Sequence, residues 1–260
     1  PRFTQFKLPR PAGALACNKY AEVYITCPSV RIARTLRELV MMPTPAPDDF
    51  VTTALASLAA TLPTARLWAA VAPQEPAGQG AGADHIATQF AQLQAAEGFI
   101  APDTASATRL RRLGWRGPLA LLPGVADARG LEACSRLGLW HGIGQAAQID
   151  WLAAHKSQQP QPVLLLAGAH GMAAHHLRSR YARLAALPQV EDVTLWAQAS
   201  DGAAATALMA ALQPVAQDWI GLRSIAVPVH LQAALPWPSL HRLAQQAEQH
   251  GWDVELMCCI

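Results

Sequence analysis

The feature that most constrains this chain is a regular alternation of helical-period segments with short apolar runs, beginning near residue 48 and recurring about every 25 to 30 residues, the pattern of βα units on a parallel sheet. Strands are predicted at 67–71, 98–101, 119–122, 139–141, 163–168, 193–197, 224–228 and 253–257. The intervening helices are predicted at 48–62, 83–96, 105–113, 126–137, 146–155, 174–187, 202–212 and 239–250. Gly114, Gly138 and Gly251 follow predicted helices, where a glycine closes the last turn. Eight strands are what a closed (β/α)8 barrel requires, but a doubly wound open sheet gives the same periodicity.

Composition narrows the function classes. The chain has 260 residues, 52% of them hydrophobic and 15% charged, so a well-filled core is expected with some apolar surface left for a partner. Apolar runs such as PVLLLAG at 162–168 fall far short of the roughly 20 residues that cross a bilayer, so no membrane insertion is expected. The formal net charge is only +2, and the densest basic cluster is Arg109, Arg111 and Arg112 on one predicted helix, too little for a nucleic-acid face. Cys17, Cys27, Cys134, Cys258 and Cys259 form no C-x-x-C pair and are odd in number, which fits reduced thiols and a cytoplasmic setting; Cys258 and Cys259 are the one pair to test for oxidation. No signal peptide is expected, because the first 20 residues hold no continuous apolar core.

Residues 1–47 differ from the rest. They carry Pro1, Pro9, Pro11, Pro28, Pro43, Pro45 and Pro47, one strand-like piece at 21–26 and one short helical piece at 30–40, and are read as an N-terminal arm before a barrel at 48–260.

Four stretches then carry a family resemblance. Residues 65–80, ARLWAAVAPQEPAGQG, resemble the first barrel strand of alanine racemases, which ends in Lys-Ala-Asn-Ala-Tyr-Gly-His-Gly. Residues 97–125, EGFIAPDTASATRLRRLGWRGPLALLPGV, resemble that family's second strand, helix, Gly-x-x-x-Pro turn and third strand. Residues 163–177, VLLLAGAHGMAAHHL, resemble the strand ending Asp-Thr-Gly-Met-x-Arg, and 184–201 resemble the next helix, strand and acidic loop. The resemblance selects the barrel over the open sheet: an α/β, (β/α)8 TIM barrel like the alanine racemase N-terminal domain, with an extended arm.

The same resemblance implies a pyridoxal phosphate Schiff base on a lysine, and the lysine position is Pro73. Other departures fall nearby. The tyrosine and histidine of the glycine turn are Ala77 and Gln79, the Asp, Thr and Arg positions are Ala169, His170 and Ala174, and Trp196 stands near the family's histidine. The phosphate-holding Asn-Ser has no match around Leu231 and Gln232. Lys7, Lys19 and Lys156 are the other lysines, none of them at a predicted strand end. These departures lead to an expectation of no cofactor and of a non-catalytic pseudoenzyme acting as a binding or assembly subunit, as a homo-oligomer or with a protein partner. A pyridoxal-phosphate racemase with a displaced lysine is the alternative.

A third reading places unrelated acid-base or metal chemistry at the mouth, drawing on Glu75, Asp103, His141, His170 and His175. Histidine pairs hold zinc when a carboxylate stands at ligand spacing, and none does here, so no metal is expected. Trp68, Trp140 and Trp196 fall on predicted strands as packing for the barrel mouth, and Trp237 between two prolines is a candidate partner-facing anchor.

Overall fold

The computed structural model describes residues 47–72, 82–156, 159–168 and 171–260. Pro73, Glu75, Gln79 and His170, together with the arm at 1–46, lie outside the described residues. The described barrel belongs to the compact unit Pro45–Ile260.

The elements are α1 (Pro47–Thr61), β1 (Ala65–Ala70), α2 (Gly82–Gln92), β2 (Gly98–Ala101), α3 (Thr104–Arg112), β3 (Leu119–Leu121), α4 (Gly130–Leu137) and β4 (Trp140–Ile143). They continue with α5 (Ala146–Ala154), β5 (Gln161–Gly168), α6 (Ala174–Ala185), β6 (Val190–Gln198), α7 (Gly202–Ala216), β7 (Arg223–His230), α8 (Trp237–His250) and β8 (Asp253–Cys259). The strands pair in parallel and in sequence order, and β8 pairs back onto β1 to close the barrel. Closure settles the choice that periodicity left open.

Alternation along each strand sends its residues to two different cores. Leu67, Phe99, Leu121, Ile143, Leu165, Leu195, Ile225 and Leu256 face outward into the layer between sheet and helices. There Phe99 is fully buried against Trp115, with ring centroids 4.8 Å apart and the rings steeply inclined. Burying a side chain of that size contributes roughly 1.5–3 kcal/mol before entropy is counted. The other column faces the lumen: Trp68, Ile100, Ala120, Leu164, Leu166, Trp196, Ala226 and Met257 form a separate inner cluster. Small residues opposite large ones let it close. Gly98, paired with Trp68, leaves room for the indole, since a Cβ there would sit 2.5 Å from the ring.

Several boundaries differ from expectation for local reasons. The fourth helix starts at Gly130 rather than near 126, because Asp127 turns the chain first, its carboxylate accepting from the Gly130 amide at 3.1 Å. The seventh runs on to Ala216 through Pro214, whose carbonyl accepts from Arg178 at 2.5 Å. As expected, Gly138 and Gly251 close α4 and α8 in left-handed geometry, with φ of 59° and 68°. Trp237 is not a free anchor: it opens α8, is half-buried, and lines a groove with Phe50.

Candidate active site at the barrel mouth

In a barrel of this kind the loops at the strand C-terminal ends build the site. Strand register places Gly168, Gln198, His230 and Cys259 there, on the lumen-facing columns. Below them the lumen is filled. Trp68 meets Trp140 and Trp196 edge to face, with centroids 5.4 and 5.7 Å apart, and Trp196 is 1% exposed. Its indole Nε1–H has no acceptor among the described residues.

Under the tryptophans a charged network closes the N-terminal half of the lumen. Glu255, 1% exposed, accepts from the Trp68 indole at 2.7 Å and from the Ser224 hydroxyl at 2.8 Å, and pairs with Arg66 at 2.5 Å. Arg66 also reaches Asp253 at 3.2 Å. Burial raises the Glu255 carboxyl above the ordinary glutamate value; Arg66, Ser224 and Trp68 pull against it. Sequence reasoning missed this network. Its signal was present, since Arg66 and Glu255 fall on the same period-2 columns as Trp68 and Met257 in otherwise apolar strands.

The residues singled out in the sequence are not brought together. Asp103 caps α3, its carboxylate accepting from the Ser106 amide at 2.7 Å, so its charge serves the helix start. His175 and His176 lie against one another with rings tilted and centroids 3.9 Å apart, at the exposed start of α6, where Ala174 is the first helical residue. His141 does not face the mouth. It pairs in register with Leu121 and Val163 on the outward column, because side chains alternate and Trp140 takes the lumen position. Buried to 2% exposure, its Nε2 accepts from the Val125 amide at 3.3 Å, while Nδ1 has no partner among the described residues.

Burial holds His141 near a pKa of about 4, far below its ordinary 6.5, so the ring is neutral at neutral pH. A depressed value means that stability is full above the unfolded-state value and drains as pH falls from there through the folded one, by roughly 3 kcal/mol in total. Urea unfolding from pH 7.5 to pH 4 is expected to show a steeper loss for the native chain than for a His141→Gln variant. Parallel curves would place the acid sensitivity elsewhere.

The basic helix and the cysteine pair also resolve. Arg111 is turned inward as a strap, donating to the carbonyls of Leu137 at 3.0 Å, Gly117 at 2.8 Å and Gly138 at 3.1 Å, rather than forming a nucleic-acid face. Cys258 and Cys259 are free and on opposite faces of β8, and burial pushes the Cys258 thiol up to about 12. Among the described residues no three His, Cys, Asp or Glu side chains gather as a metal site, and no helix is long and apolar enough to cross a membrane.

A closed parallel eight-stranded barrel with its site at the strand C-terminal mouth defines the class of (β/α)8 barrels. Within it, the family described as "Alanine racemase, N-terminal domain" matches residues 56–232, and the chain belongs to that family. It is 44% identical over 171 residues to an alanine racemase of Acidovorax sp. (strain JS42), covering 63% of this chain and 45% of that protein. Identity to the alanine racemase of Methylibium petroleiphilum is 43% over 178 residues, 66% and 47% of the two chains. The chain thus spans about half the length of the curated relatives it matches. The biosynthetic alanine racemase of Pseudomonas aeruginosa superposes with a TM-score of 0.59 at 20% identity, over 81% of this chain and 56% of that one. Lysine decarboxylase from Selenomonas ruminantium does so with 0.63 at 15%, over 89% and 65%. At these identities the likeness is one of fold.

The expectation of no cofactor is corrected by these findings. The chain belongs to the alanine racemase N-terminal family and its relatives at 44% identity are named alanine racemase, and neither finding shows loss of the pyridoxal phosphate that the resemblance implies. The described residues fit that group in part only. The lumen supplies an unpaired indole donor, but Lys156, the one lysine among the described residues, lies on the α5-to-β5 connection at the opposite end of the barrel. No described lysine stands at the mouth end of the barrel.

Proposed function

We propose that this chain is an alanine racemase-family barrel that acts as a binding or assembly subunit in the cytoplasm, forming a homo-oligomer or joining a protein partner, with 1–47 as its arm and 48–260 as its barrel. The altered positions Pro73, Gln79, Ala174 and Trp196 are the ones that separate it from racemisation. The observation that carries the reading is the lumen: Trp68, Trp140 and Trp196 fill it below the mouth, and no described lysine reaches that end. The unrelated acid-base reading loses support, since Asp103 is a helix cap, His141 is buried outside the lumen and His175 stands apart from both.

A second reading, a racemase using a displaced lysine, is favoured by the name of the relatives at 44% identity. One experiment separates the two. Purified protein supplied with pyridoxal phosphate is assayed for interconversion of L- and D-alanine, then reduced with borohydride and mapped by mass. No racemisation, with a multimer by light scattering, is the expected result. Racemisation with a reduced adduct on Lys7, Lys19 or Lys156 overturns it.

A further inference from the structure

At the mouth end of the barrel, outside the lumen, a cavity of about 390 Å³ lies between the connections that follow β2, β3 and β4. Its apolar walls are Pro102, Pro123, Val125 and the half-buried indole of Trp151 on α5, and its polar side chains are two neutral amides, Gln145 and Gln148. No charged residue lines it. The volume falls in the lower part of the roughly 300–1,000 Å³ range of small-ligand sites, and barrels of this class bind their ligands at these connections.

The walls are tied in place within the chain. Gln148, 5% exposed, spans two connections: its Oε1 accepts from the amides of Gly144 at 2.8 Å and Gln145 at 3.0 Å, and its Nε2 donates to the carbonyls of Val125 at 3.0 Å and Pro123 at 3.3 Å. The Val125 amide in turn donates to His141 at 3.3 Å. The bonds that fix the cavity also use up its polar groups. The amides of Val125, Gly144 and Gln145 are taken, Gln148 is used at both ends of its side chain, and the two prolines have no N–H to offer. A charged ligand would give up its water here and meet no opposite charge, whereas a flat apolar ring gains by covering the indole and the proline rings.

We propose that this cavity binds a small neutral aromatic compound of one or two rings, held by contact with Trp151, Pro102 and Pro123. Because the walls are fixed before the ligand arrives, binding spends little on ordering the protein. The site is separate from the lumen, and the inference stands whether or not the chain racemises alanine.

Titration calorimetry of the full chain with indole, and with indole-3-acetate as the same ring carrying a carboxylate, tests it. Saturable binding of one indole per chain is expected, about tenfold or more tighter than indole-3-acetate. Trp151→Ala is expected to weaken indole binding about tenfold or more by removing the broadest wall. Ala126→Phe, at an exposed position on the edge of the cavity, is expected to abolish binding by filling the space. Trp237→Ala, in the separate apolar groove beside Phe50, is expected to leave binding unaltered. Unchanged melting curves confirm that the variants fold. Absence of saturation, indole-3-acetate bound as tightly as indole, affinity retained in both Trp151→Ala and Ala126→Phe, or affinity lost in Trp237→Ala overturns the proposal.

Discussion

Glu255→Ala is expected to lower the unfolding free energy by about 3–5 kcal/mol, the usual consequence of removing one partner of a buried ion pair. The carboxylate is the hub of the lower lumen: it receives the Trp68 indole, the Ser224 hydroxyl and the Arg66 guanidinium, and its loss leaves all three without that acceptor. Asp253 compensates only in part, because it reaches Arg66 alone and its side chain is 47% exposed. Glu255→Gln retains an acceptor for Trp68 and Ser224 and is expected to fall between the native chain and the alanine variant. A paired Arg66→Met, Glu255→Leu change replaces charges by apolar groups, and is expected to cost less than either single change, since neither charge is then buried alone. Urea denaturation measures each. A loss under about 1 kcal/mol for Glu255→Ala would mean that water already serves this network and that it does not hold the lumen closed.

The barrel was legible in the sequence because two periodicities report directly on it. Strand residues such as those from Val163 to Ala167 are buried on both faces, giving the continuous apolar runs that mark a parallel sheet, and helices such as Ala146–Ala154 show where those runs stop. Which face a strand residue takes is less visible. The sequence points His141 toward the mouth because it follows Trp140 at a strand end, yet one residue of register reverses the direction, and the indole occupies the lumen. Asp103 has the placing of a rim acid; its position three residues before Ser106 is equally that of a helix cap, and the backbone hydrogen bond takes precedence.

Trp196 offers the sharpest test of what the lumen is for. Trp196→Ala is expected to cost about 3–5 kcal/mol, as the inner cluster loses its largest fully buried side chain and the edge-to-face contact with Trp68. Trp196→Phe keeps an aromatic ring and removes the unpaired Nε1–H, a donor whose burial itself costs roughly 1–3 kcal/mol. Two effects then oppose one another, lost contact area against a relieved polar group, and the phenylalanine variant is expected to lose less than half of what the alanine variant loses. Thermal and urea unfolding of the two variants give the comparison. A phenylalanine variant as unstable as the alanine one would show that the indole N–H has a partner in solution, a bound water or ligand entering from the mouth. The tryptophans would then be the floor of a working site rather than packing that fills it.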